Sequence, residues 1–170
     1  MSKEFDYHVK IPVISIEYLA GLIDGEGCFS IQIFSNPTSK MQLRIRTSFQ
    51  IHMSVCAYSL LRKVKGFLKC GYFIRSIPYG KEKLHNYRIT ICKNSDIINK
   101  LIPLLDNCPL ILKKKDYKIF REASILIYNK EHLTKEGFLK IMKLRDKINI
   151  HTKNKYRTKN KIILKKMRCQ

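Results

Sequence analysis

The chain predicts an α+β domain in which an antiparallel sheet carries helices on one face, with the element order α-β-β-α-β-β-α and then two further helices. Three observations predict it. Apolar residues alternate with polar ones at period two in two blocks, near 28–51 and 70–92. Apolar residues at helical spacing precede, separate and follow those blocks. Each block divides at a turn-rich stretch, Ser35-Asn36-Pro37 in the first and Pro78-Tyr79-Gly80 in the second, so both read as hairpins and the sheet as antiparallel.

Residues 1–14 read as an extended N-terminal arm, since Pro12 disfavours helix. Ser15 is a good N-cap, Glu17 meets the positive end of the helix dipole, and Ile16, Leu19, Ala20 and Ile23 recur at helical spacing, which predicts a helix from about Ile16 to about Asp24. Gly21 and Gly25 share one face of it. A glycine inside a helix costs roughly 1 kcal/mol against alanine, so this spacing suggests that another backbone comes close there. Glu26 is expected just past the helix end, between Gly25 and Gly27, where the thin backbone lets a metal or phosphate approach.

Phe29, Ile31 and Ile33 alternate with Ser30 and Gln32 to give the first strand. In the second, 42–51, Gln42, Arg44, Arg46, Ser48 and Gln50 fill one face and Leu43, Ile45, Thr47, Phe49 and Ile51 the other. A helix from about Ser54, carrying Tyr58, Leu60, Leu61 and Val64, is expected to stop at Gly66. Strands follow at Cys70 to Ser76 and Leu84 to Cys92, the latter with Tyr87, Ile89 and Ile91 inward and Asn86, Arg88 and Thr90 outward. Helices are expected at Ser95 to Leu105, Lys113 to Tyr128 and Thr134 to Asn149, the first two separated at Asn107-Cys108-Pro109.

Length and charge bound the function. The chain has 170 residues, which suits one domain at 15–150 between the arm and a basic tail at 151–170. Its formal charge of +21 favours a polyanionic partner, nucleic acid first. A membrane is not expected, because no apolar run nears the roughly 18 residues a span requires and nothing behind Met1 reads as a signal peptide, so an intracellular site is expected. Six cysteines lack zinc spacing and read as mostly buried free thiols. From Gly27 to Lys81 there are nine Lys and Arg and no acid, and Lys147 to Gln170 repeats that count. Arginine pairs bidentately with guanine, and glutamine or asparagine with adenine, so such a sheet suits a major groove. Ser30, Gln32, Gln42, Arg44, Arg46, Ser48, Gln50, Arg75, Asn86 and Arg88 are the expected DNA-binding residues, with lysines on phosphates.

The nine residues Leu19-Ala20-Gly21-Leu22-Ile23-Asp24-Gly25-Glu26-Gly27 resemble the signature of the LAGLIDADG homing endonucleases, departing from it only in Gly-Glu-Gly for Ala-Asp-Gly. The resemblance implies a helix that packs on its counterpart about a two-fold axis. With one motif per chain, it implies a homodimer whose seam includes Leu19, Ala20, Gly21 and Asp24. It also implies that Glu26, the motif's final acid, holds a catalytic Mg²⁺ with the Gly25 carbonyl. Leu112-Lys113-Lys114-Lys115-Asp116 is similar to the family's lysine-bearing helix start, and makes Lys113, or else Lys114, the active-site lysine. The polar residue that the family sets after its second strand matches Met53, so His52, Ser54 or Gln50 is expected to substitute. The implied activity is intron-encoded, Mg-dependent cleavage of both strands of a long, partly palindromic duplex, leaving short 3′ overhangs. The rivals are an RNA-binding intron maturase of the same fold and a DNA-binding regulator with a dead site. Retention of Glu26 favours the nuclease.

Overall fold

The computed structural model describes residues 13–38, 43–76, 86–108 and 110–150. Expectations about the arm before Val13, Gln42, the turn at Pro78-Tyr79-Gly80 and the tail after Ile150 lie outside them. In order, the chain forms α1 (Ile16–Glu26), β1 (Gly27–Ser35), β2 (Leu43–Ser54), a 3₁₀ turn (Val55–Ala57), α2 (Tyr58–Leu68), β3 (Tyr72–Ser76) and β4 (Asn86–Ile91). Then follow α3 (Asn94–Asp96), a π-helical turn (Ile97–Leu101), α4 (Ile102–Asp106), α5 (Lys114–Tyr128), a 3₁₀ turn (Glu131–Leu133) and α6 (Lys135–Lys147). The π turn falls just before Pro103, whose missing N–H cannot close an ordinary helical bond.

Ser15 caps α1 as expected, its Oγ accepting from the Tyr18 N–H at 3.2 Å. The helix runs two residues further than the sequence predicts, so Glu26 is its last residue rather than the first beyond it. Gly25 stays helical; Gly27 ends the helix by donating its N–H to the Ile23 carbonyl in extended conformation, and β1 begins there with no loop. A Cβ at position 27 would lie 2.6 Å from the Ile23 oxygen and 3.0 Å from its Cα, so only glycine permits this passage. α2 likewise passes Gly66. Its end is set by Lys69 in the left-handed conformation (φ 51) and Gly71 (φ 86), because Leu68 must complete the buried face begun by Leu61 and Val64.

The four strands form one sheet in the order β1-β2-β4-β3, all antiparallel. β2 and β4 are its inner strands. Period-two alternation commits Phe29, Ile31, Leu43, Ile45, Thr47, Phe49, Ile51, Ile89 and Ile91 to the helix-covered face, as the sequence predicts. There Phe29 meets Phe49, Phe120 and Tyr117 at centroid separations of 5.0, 5.1 and 5.7 Å. Leu19 and Ile23 of α1 and Phe138 and Ile141 of α6 complete the core. A buried polar pair within it, Ser124 Oγ donating to Thr47 Oγ1 at 3.0 Å, satisfies both hydroxyls.

The close approach at Gly27 makes a stability prediction. Gly27→Ala should destabilise by about 1–3 kcal/mol, because the added methyl meets backbone that cannot yield. Gly66→Ala, with open space around its Cβ, should stabilise by up to about 1 kcal/mol. Urea unfolding of the two variants checks this, and an equal response would refute the packing argument.

Candidate functional site

α1 ends where its last carbonyls lack helical partners and carry the negative pole of the dipole. Lys113 fills that need: its ammonium donates to the Asp24 carbonyl at 2.7 Å and the Gly25 carbonyl at 3.0 Å. Asp24 answers from its side chain, one carboxylate oxygen accepting the Ile111 N–H at 2.8 Å and the other the Lys113 N–H at 2.9 Å. Burial alone would push the Asp24 carboxyl up, but the backbone donors at Ile111, Lys113 and Leu112, with the Lys113 charge, hold it below the usual carboxylate value. The exchange fixes the start of α5 against the end of α1. Glu26 stands exposed one residue beyond the Gly25 carbonyl.

Of the two candidate lysines, the fold therefore brings Lys113 to the motif and not Lys114. Lys114 sits one residue on, which turns it about 100° around the helix start, and it lines a groove behind the sheet with Leu110, Tyr117 and Lys118. Asp24, expected at a subunit seam, spends both its oxygens within the chain. Leu19 and Ala20, also expected there, are 0 % and 5 % exposed in the core, because they lie on the helix face that meets the sheet. The opposite face of α1 is open. A Cβ at Gly21 or Gly25 would meet nothing within 4 Å. Tyr18 on the same helix is 48 % exposed, and Ile111 and Leu112, tied to its C-terminal end through Asp24, are about 80 % exposed (81 % and 79 %).

Among the described residues no three His, Cys, Asp or Glu side chains gather where they could hold a metal. What one chain offers is the Glu26 carboxylate and the lone pair of the Gly25 carbonyl that the Lys113 ammonium leaves free. An all-oxygen set of this kind fits a hard cation such as Mg²⁺, which is commonly held by one or two carboxylates with phosphate oxygens and water.

The face of the sheet away from the helices carries the expected row. Across β1 and β2 the register sets Cys28 beside Gln50, Ser30 beside Ser48, Gln32 beside Arg46 and Phe34 beside Arg44. Arg88 and Asn86 extend the row on β4 opposite His52 and Ser54. Ser30 Oγ donates to the Ser48 carbonyl at 3.2 Å, and Gln50 Nε2 to Ser48 Oγ at 3.3 Å. Arg75 departs from the row. It pairs with Tyr87 and shares the face of Phe73 and Ile89, so strand alternation turns it toward the helices. β2 itself runs to Ser54, so Met53 and its three expected substitutes are all strand residues: Met53 points inward beside Tyr87, while Gln50, His52 and Ser54 face the open side.

Asn149 was not among the residues the sequence singled out. It follows α6 in the left-handed conformation (φ 51), its N–H donates to Asp116 at 2.9 Å and its Nδ2 to the Phe29 carbonyl at 2.7 Å. It thereby pins the end of α6 to the outer edge of β1 and to the first turn of α5. An asparagine at the end of a periodic run is a recognised left-handed cap, and that was the available signal.

A family model described as LAGLIDADG endonuclease matches residues 19–124. The chain is 32% identical over 157 residues to "Probable intron-encoded endonuclease 3" of Neurospora crassa, covering 88% of this chain and 28% of that protein. Against the next two curated relatives it spans about a quarter of their length (26% and 25%). The crystal structure of a homing endonuclease, I-TnaI, superposes with a TM-score of 0.76 at 29% identity over 92% of this chain and 99% of that one. I-SmaMI bound to uncleaved DNA target in the presence of calcium ions superposes with a TM-score of 0.74 at 26% identity, over 81% of this chain and 45% of that one.

Asp24→Asn replaces one acceptor oxygen by an amide that opposes an N–H, so it should cost about 1–3 kcal/mol at neutral pH. The Asp24 contribution is present above the unfolded carboxylate value near 4 and is lost as pH falls through the lower folded value. Wild type and variant should therefore converge in acid, which urea unfolding at a series of pH values measures.

Proposed function

Because the chain belongs to the LAGLIDADG endonuclease family, we propose that it is an intron-encoded homing endonuclease that cuts both strands of a long, partly palindromic duplex as a homodimer, within the compartment that houses its intron. The observation that carries this reading is the convergence of three features at one end of α1: an exposed acid at Glu26, an anchored ammonium at Lys113, and the edge of a polar sheet face without acids. Among the described residues no helix is long and apolar enough to cross a membrane.

Phosphodiester hydrolysis needs charge neutralised on the scissile phosphate, an activated water and stabilisation of the leaving oxygen. Glu26 and the Gly25 carbonyl would hold Mg²⁺, which when bound supplies much of the first two. Lys113, fixed by two carbonyls, presents a positive charge beside the phosphate position without a reorganisation cost. Gln50 and His52 are the polar open-face residues of β2 nearest that end and are the candidates to orient water. The remaining row, Ser30, Gln32, Arg44, Arg46, Ser48, Asn86 and Arg88, reads the groove.

One chain supplies a single carboxylate, so the site is completed by a second copy packed on the open glycine face of α1. Gly21, Gly25, Tyr18 and Leu22 would form that seam, with Ile111 and Leu112 at its rim. Two Glu26 residues then flank the axis, each near one scissile phosphate, an arrangement that yields short 3′ overhangs.

A duplex spanning the intronless insertion site should be cut with Mg²⁺ and spared with EDTA; no metal-dependent cleavage would refute the nuclease reading. Glu26→Gln should lower cleavage by several orders of magnitude and leave DNA affinity within a fewfold. Loss of both together would make Glu26 structural. The seam has its own test in sedimentation. Wild type should run as a dimer without DNA, and Gly21→Leu, which meets open space within the chain, should run as a folded monomer. A dimer that survives Gly21→Leu would put the seam elsewhere.

A further inference from the structure

The side chains on the open face are unequally prepared for a ligand. Ser30, Ser48 and Gln50 are engaged mainly with one another. Arg46 is held in a different way. One terminal nitrogen donates to Gln32 Oε1 at 2.8 Å, and Gln32 is itself steadied by donation to Ser30 Oγ at 3.4 Å. The guanidinium carbon lies 4.9 Å from the centroid of the Phe34 ring, so an aromatic face supports the plane of the group. Edge and face are both fixed. Yet Arg46 Nε is buried without an acceptor, as are Arg88 Nε and Thr90 Oγ1 on the neighbouring inner strand. Buried donors are nearly always satisfied, and these three belong to residues of the open face, Thr90 opposite Gln50 and Arg88 opposite His52.

No acid on the sheet can meet that need, since β1 to β4 carry no Asp or Glu, and the neighbouring amide, Gln32, is already engaged. The acceptor must come with the ligand. A phosphate contact suits an exposed side chain on the rim, and Arg44, the next open-face position outward, is such a residue. Arg46, on the same strand but half-buried and braced by Gln32 and Phe34, is held over the sheet face that a groove-bound sheet presents to base edges. A guanidinium fixed in plane with two parallel N–H groups matches the O6 and N7 of guanine.

We infer that Arg46, oriented by Gln32 and Phe34, is a specificity-determining residue that reads one guanine in the DNA segment covered by each protomer. The inference rests on the DNA-cleaving function proposed above. The Gln32–Arg46 pair lies five residues along the sheet from the Gly27–Ile51 pair at the end of α1. That is about 17 Å at strand spacing, so the guanine belongs to the outer part of the segment and not to the cleavage centre.

The test is selection from a randomised duplex library with Ca²⁺ in place of Mg²⁺, followed by sequencing of the bound fraction and by affinity measurements across a salt series. Wild type should enrich a site with an invariant G·C pair in each half. Arg46→Lys, which keeps the charge, should lose about 5- to 150-fold of discrimination at that pair alone, with the salt slope and the other positions unchanged. Gln32→Ala and Phe34→Ala, which leave the arginine in place but release it, should each weaken the preference at the same pair. An unchanged consensus for Arg46→Lys would overturn the inference. So would a uniform loss of affinity for Arg46→Ala with the salt slope reduced by about 0.9, the mark of a phosphate contact. A library that wild type does not enrich at all would overturn the DNA-binding reading itself, and this assignment with it.

Discussion

The exchange between Asp24 and Lys113 joins two parts of the chain almost ninety residues apart, and the geometry around it follows from that join. A carboxylate accepts two backbone N–H groups at the start of α5, and the ammonium that begins that segment returns two bonds to the end of α1. Each partner satisfies groups that helix termini necessarily leave open. Charge-assisted bonds of this kind are shorter and stronger than neutral ones, and four of them act on one short stretch of backbone. The acid that stands next in sequence, Glu26, inherits a fixed position without making the contacts itself.

The second constraint is the absence of any loop between α1 and β1. Gly27 takes the place of a connection, so the end of the motif helix and the start of the edge strand are mechanically one unit. Asn149 ties the end of α6 to the same strand at Phe29 and to Asp116 on α5. Helix, strand and both later helices therefore converge on a few residues around Cys28. Rigid support of this kind suits the phosphate-cleaving role proposed for these residues, since small misplacements cost rate steeply.

Much of the fold was legible in the sequence because the physics that specifies it is local. Strand alternation along 43–51 named the inward and outward faces correctly, since a period of two leaves only two choices and one is apolar. Ser15 was legible as a cap from its hydroxyl. Helix ends were less so: Gly25 and Gly66 both remained helical, because a glycine permits a left-handed cap without requiring one, and the residues beyond still had apolar surface to bury. Arg75 was misread for a related reason. Its composition fits the polar row, but the short strand around it carries too weak an alternation to fix which side it takes.

By itself, then, the sequence determined the α+β class, the hairpin order, the charge that calls for a polyanion and the motif that carries Glu26. Each of these is written in residue type and short-range spacing. Tertiary structure alone decided which lysine reaches the motif, that Leu19 and Ala20 belong to the chain's own core while Gly21 and Gly25 face outward, and that Asn149 closes the edge of β1. Those are choices about orientation around a helix or across long chain separations, where a rotation of one residue, about 100°, exchanges one face for another and no neighbour in sequence records the outcome.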